Sequence, residues 1–131
     1  MIRIRNRWTA IAAGSVLLVV AAVAGFAGNG TAALQVKPTN TAPPTIAGTA
    51  EEGSALTASP GTWSGSPTAY FYYWRRCNAS GLGCATVPGQ NLTTYLLTSA
   101  DVGYTIRVAI FARNAAGQTY VNSNQTARVS A

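Results

Sequence analysis

The chain has 131 residues, with nine Lys and Arg, three Asp and Glu, no histidine and a net charge of +6. The missing histidine removes the commonest general base, and with it the Ser-His and Cys-His arrangements of nucleophilic catalysis. The basic residues are few and form no stripe, so the high pI does not amount to a nucleic-acid footprint.

Arg3, Arg5 and Arg7 precede an apolar run from Ala10 to Ala27, followed by the small-residue stretch GNGTAA. This is the layout of a secretory signal peptide, with A-x-A-like cuts after Ala24, Ala27 or Ala33. A run of roughly 18 residues also just suffices to span a bilayer, so an uncleaved anchor is the alternative. The basic flank is N-terminal, and either reading places the remainder outside the cytoplasm. Residues 1–33 are therefore expected as a signal or anchor helix. Beyond it about 98 residues remain, enough for one small domain. They keep Lys37, Arg75, Arg76, Arg107, Arg113 and Arg128 against Glu51, Glu52 and Asp101, a net charge of +3.

Residues 34–44 (LQVKPTNTAPP) carry three prolines and no apolar period, which predicts an extended linker. The domain is expected over 45–131. Period-two alternation, β-branched and aromatic enrichment and turn punctuation predict strands throughout. They fall at 45–48, 54–59, 68–76, 85–87, 93–98 and 104–112, with an interrupted last strand at 118–121 and 126–129. Trp63 falls in a loop between Pro60-Gly61 and Ser64-Gly65-Ser66-Pro67. No stretch holds a helical stripe. About seven short strands in so small a domain predict an all-β, antiparallel sandwich.

Parity assigns the faces. On 104–112, Tyr104, Ile106, Val108, Ile110 and Ala112 point inward, because the opposite parity would bury Arg107 and Arg113. On 68–76, Tyr70, Tyr72 and Trp74 point inward, leaving Phe71, Tyr73 and Arg75 outward. Leu56 anchors the 54–59 strand. The predicted core is thus Leu56, Tyr72, Trp74, Ile106, Val108 and Ile110.

Cys77 and Cys84 flank NASGLG, and in an exported chain the default is a disulfide stapling that loop. Without a C-x-x-C or a histidine, redox and metal roles have no framework. Asp101, in Ser99-Ala100-Asp101-Val102-Gly103, is expected to accept backbone hydrogen bonds in a turn, with Gly103 closing it. Calcium would need more oxygen ligands than Glu51 and Glu52 of another loop could add. No metal or cofactor is expected, and no catalytic residues. Glu51 and Glu52 are adjacent and would diverge on extended backbone, and Lys37 lies in the linker. Sequons begin at Asn29, Asn78, Asn91 and Asn124, a number unremarkable in a chain rich in Asn, Ser and Thr; no glycosylation is assigned.

The order and spacing of Gly48, Leu56-Thr57-Ala58, Pro60-Gly61-Thr62-Trp63, Tyr72 with Trp74 and Cys77, Cys84, Thr98-Ser99-Ala100-Asp101-Val102-Gly103 and Asn114-Ala115-Ala116-Gly117 resemble bacterial extracellular immunoglobulin-like domains. Such domains occur as repeats in secreted and surface proteins of actinobacteria and related groups, and the likeness runs from Pro43 to about Val129. It implies an immunoglobulin-like β-sandwich in which the 68–76 and 104–112 strands are neighbours. One departure is that no second copy is present, so the chain is a free-standing module or part of a longer protein. With those strands side by side, Phe71, Tyr73, Arg75, Arg107, Phe111 and Arg113 share an outer face. Aromatics rimmed by arginine are typical of protein interfaces, although such pairs also stabilise a solvated sheet. The expected function is a non-catalytic spacer or adhesion module at the cell surface. Its partner would be a surface protein or a neighbouring module. The alternative is a carbohydrate-binding module using Phe71, Tyr73 or Trp63. A membrane contact is expected only through residues 10–27, if that segment is retained.

Overall fold

A computed structural model describes residues 35–131, and Val36–Ala131 form one compact unit. The segment expected as a signal or anchor helix lies outside the described residues. The unit is all-β and sandwich-like. Its elements in order are β1 (Thr39–Ala42), β2 (Thr45–Ala47), β3 (Ala55–Ser59), β4 (Thr62–Ser64), β5 (Ala69–Cys77), β6 (Ala85–Thr86), β7 (Thr94–Leu96), a 3-10 turn at Ser99–Asp101, β8 (Thr105–Asn114) and β9 (Gly117–Asn122). One sheet runs β2-β3-β7 and the other β6-β5-β8-β9, all pairs antiparallel, with β1-β4 a separate ribbon. No helix among the described residues is long and apolar enough to cross a membrane.

The inner faces of the two larger sheets meet in one core. Leu56, Trp74, Ile106, Val108 and Ile110 are fully buried, joined by Ala58, Tyr95, Leu97 and Val129. Trp74 of β5 stacks on Tyr95 of β7 at 5.5 Å between centroids, and its indole N–H donates to the Leu92 carbonyl. A buried Trp thus keeps its polar edge satisfied. Tyr72 is half-buried against the same cluster; burial, then the neighbouring Tyr70, raises its hydroxyl pKa.

Four expectations need correction. Tyr70 and Tyr104, on the inward parity, are 37% and 45% exposed. They sit at opposite ends of the inward rows, where the sandwich opens; Tyr70 meets Trp63 and Tyr104 leans over the Arg76 guanidinium. The 36–44 stretch is part of the domain rather than a linker. Pro38 and Pro44 are buried, and β1 between them pairs with β4, which carries the Trp63 expected in a loop. Proline is tolerated there because both lie outside the paired residues. Finally, 126–129 is not a strand. It still follows β8, with Thr126 and Val129 N–H donating to Ile106 and Tyr104 carbonyls. Along this flank the Ser123 and Thr126 hydroxyls accept from Val108 and Ile106 N–H, replacing the missing ladder acceptors.

Candidate interaction face and its supports

The disulfide joins Cys77, the last residue of β5, to Cys84, just before β6. Inside the ring, Asn78 Oδ1 accepts from Ser80 and Leu82 N–H, folding the loop on itself. Gly81 is at φ +77°, a backbone conformation that favours glycine, and a Cβ there would push the Gln125 side chain aside. The loop is then bolted to the sheet. Arg107 donates to the carbonyls of Gly81 (3.0 Å) and Ser123 (2.8 Å) and to Gln125 Oε1 (3.1 Å). Arg75 donates to the Cys84 carbonyl at 3.1 Å, and Thr105 Oγ1 to the Asn78 carbonyl. These two arginines, expected to rim an aromatic patch, are committed to the loop beside it.

A second cluster closes the same end of the sandwich on its inner side, through Arg76, which precedes Cys77. Asp101 is fully buried. Its carboxylate accepts from the Tyr95 hydroxyl at 2.9 and 2.8 Å, from Thr98 N–H at 2.9 Å, and from Arg76 Nε and Nη2 at 2.7 Å each. The backbone continues the turn, with Tyr104 N–H donating to the Asp101 carbonyl. Gly103 supplies the left-handed residue, at φ +88°. Burial pushes the Tyr95 hydroxyl up to about 12, and the adjoining carboxylate adds to this while Arg76 offsets part. Burial works against the Arg76 charge, but hydrogen bonding and attraction to Asp101 outweigh it and raise its pKa. Asp101 is thus a structural hub as well as a turn acceptor. Arg76 was the residue missed: the parity that buries Trp74 also sends Arg76 inward, where it requires a carboxylate.

The outer face of the β6-β5-β8-β9 sheet carries the remaining chemistry. Phe71, Phe111 and Tyr120 stand directly opposite one another on β5, β8 and β9. Phe111 stacks on Tyr120 at 5.0 Å, and Tyr73 meets Phe111 edge-on at 5.3 Å. Both arrangements are favoured by ring quadrupoles. Arg113 lies over the Phe71 ring at 4.9 Å, a cation–π contact that leaves the guanidinium on the surface. Tyr73 and Tyr120 remain 40% and 57% exposed. In the next row, Ala109 lies between Tyr73 and Asn122. Its small side chain opens a concavity of about 410 Å³ lined by Tyr73, Arg75, Thr86, Ala109, Phe111 and Tyr120. A shallower one of about 190 Å³ lies among Phe71, Tyr73, Phe111, Arg113 and Gln118. No side-chain carboxylate reaches this face, since Asp101 is buried and Glu51 and Glu52 lie in the β2–β3 turn.

Phe71, Tyr73, Phe111 and Arg113 are therefore brought together, whereas Arg75 and Arg107 serve the disulfide loop. Tyr120 is a second residue that sequence reasoning misses; the hairpin turn at Asn114–Gly117 fixes the register that sets it opposite Phe111. Trp63 is half-buried against the core, with its indole N–H on the Pro60 carbonyl at 2.7 Å, and lies apart from the outer aromatic row. Among the described residues, no three His, Cys, Asp or Glu side chains cluster to hold a metal ion.

No protein-family model matches the chain. A 64-residue segment, 49% of this chain, is 34% identical to the 187-kDa microtubule-associated protein AIR9 of Arabidopsis thaliana. That segment corresponds to 4% of the plant protein, so the likeness is confined to a small piece of a far longer molecule.

Proposed function

We propose that Val36–Ala131 is a non-catalytic, immunoglobulin-like module of the bacterial cell surface. Its outer four-stranded face contacts a surface protein or a neighbouring module. The immunoglobulin-like reading is supported by a three-stranded sheet packed on a four-stranded one around a buried Trp on a central strand. The Cys77–Cys84 bond fits export, because disulfides persist in oxidising compartments. The chemistry supports a non-catalytic role. The chain has no histidine, both cysteines are bonded, and the buried carboxylate is saturated by structural partners.

One observation carries the contact reading: the Phe71–Phe111–Tyr120 row, with Tyr73 and Arg113, presents two exposed tyrosine rings, two half-buried phenylalanine rings and a cation on a face without carboxylates. Aromatic and arginine anchors dominate binding energy at protein interfaces. The absence of acids makes an acidic partner surface the complementary one. The aromatic concavity around Ala109, with Arg75 and Thr86 as polar neighbours, also favours a second reading, a short saccharide stacked on Tyr73 and Tyr120.

The test is retention of cell-envelope proteins and of a polysaccharide panel by the oxidised domain, residues 35–131, against its Phe71→Ser/Phe111→Ser variant. Loss of a retained protein in the variant, with circular dichroism unchanged, supports the contact face. Retention indifferent to the double change sinks it, and a retained glycan replaces it with the saccharide reading. Silence from both folded proteins leaves a spacer.

A further inference from the structure

β9 is the edge of the larger sheet, and among the described residues no strand is hydrogen-bonded to its outer side. Along β8, the carbonyls of Tyr104, Ile106 and Val108 face the 123–129 side, while that of Arg113 faces β5 and accepts from Thr68. Alternation then directs Ile110, Ala112 and Asn114 toward β9. Their partners are Val121, Thr119 and Gly117, so the backbone groups of Gln118, Tyr120 and Asn122 point away from the sheet. Among the described residues no strand pairs with them, although β1 passes nearby without joining the ladder. The strand sequence GQTYVN holds no proline and no charge, the devices that ordinarily protect an edge.

We propose that this edge pairs with β9 of a second copy, antiparallel and two-fold symmetric about Tyr120. A register centred on Tyr120, the middle outward-facing residue, joins the outward groups of all three, whereas one shifted by a residue joins only two. The sequence is self-complementary in that register. Tyr120 meets Tyr120, Gln118 meets Asn122 on the outer face, and Thr119 meets Val121 on the inner face. Every pair is like with like: aromatic, amide and β-branched. Thr119 and Val121 are only half-buried, which leaves room for the second pair.

The pairing makes one continuous eight-stranded sheet. It joins the two aromatic rows across the axis, Phe71–Phe111–Tyr120 running into the same row of the second copy. A contact of one short strand pair is small, so the dimer is weak, with a Kd in the range of about 1 µM to 1 mM. It does not depend on the partner reading above, because self-association is measured without any other molecule.

Sedimentation velocity on the oxidised domain, from about 5 µM to about 1 mM, spans that range. The expected result is a monomer–dimer equilibrium. Tyr120→Lys and Tyr120→Glu each weaken it at least about tenfold, since position 120 meets itself and like charges oppose. Their equimolar mixture restores a dimer of one copy of each. Gln118→Pro, which removes an outward N–H without touching the β8 ladder, also abolishes association. Circular dichroism confirms that each variant is folded. A wild-type monomer throughout, variants that dimerise like wild type, or a mixture that stays monomeric would each overturn the pairing.

Discussion

Replacing Asp101 by Asn keeps the side-chain volume and removes one negative charge from a fully buried position. The change leaves Arg76, 28% exposed, facing a neutral amide. The new NH2 group must also displace either the Thr98 N–H or both Arg76 donors, which share Oδ1. Removing one partner of a buried ion pair costs about 3–5 kcal/mol. Arg76 keeps some access to water, which places this case near the lower end, at about 3 kcal/mol. That is a large share of what a domain of this size possesses. In guanidinium chloride, with a slope of roughly 2–3 kcal/mol/M, the unfolding midpoint should fall by about 1 M at constant slope. Arg76→Met should cost at least as much, because it strands the buried carboxylate. The double variant should cost clearly less than the two single losses together. A fall under about 1 kcal/mol for Asp101→Asn, or strict additivity with Arg76→Met, would refute the hub assignment.

Three further outcomes follow from the same contacts. Cys77→Ser/Cys84→Ser opens a ring of about eight residues and should lower unfolding free energy by about 2–3 kcal/mol in denaturant titrations. Arg107→Met should raise hydrogen exchange at residues 78–84 and 123–126 while leaving the Trp74 region protected, since only the bolts to Gly81, Ser123 and Gln125 are lost. Tyr95 titrates at about 12 in the fold against its ordinary 10.0. The folded state therefore holds that proton more tightly, and this stabilisation is complete below pH 10. It is lost as pH rises from 10 to 12. The midpoint of unfolding should decline over that window, and Tyr95→Phe should flatten the decline.

Strong periodicity made β5 and β8 legible: Trp74, Val108 and Ile110 announce a buried face because the opposite parity carries Arg107 and Arg113. Where the sandwich ends, alternation stops reporting burial, which is why Tyr70 and Tyr104 emerge despite their inward parity. Pro38, Pro43 and Pro44 read as a linker because proline suppresses any strand signal. Two of them are instead buried at either end of β1, a short ribbon strand held by the Asn40 amide on the Ala42 and Thr62 carbonyls. Side-chain commitments were out of reach. Arg107 stands on the outward parity, and only the folded disulfide loop reveals that its guanidinium is spent on carbonyls. Tyr120 was hidden by its distance in sequence from Phe71, and a two-residue turn places both in one row.

A photo-reactive phenylalanine analogue placed at Tyr73, and separately at Thr57 on the exposed side of β3 in the opposite sheet, tests the contact face most directly in cells that produce the protein. Tyr73 is exposed beside the aromatic row, whereas Thr57 lies outside it. Irradiation should yield discrete adducts from position 73, lost on adding Phe111→Ser, and none from position 57. Equal labelling from both positions, or no adduct from either, would contradict the account.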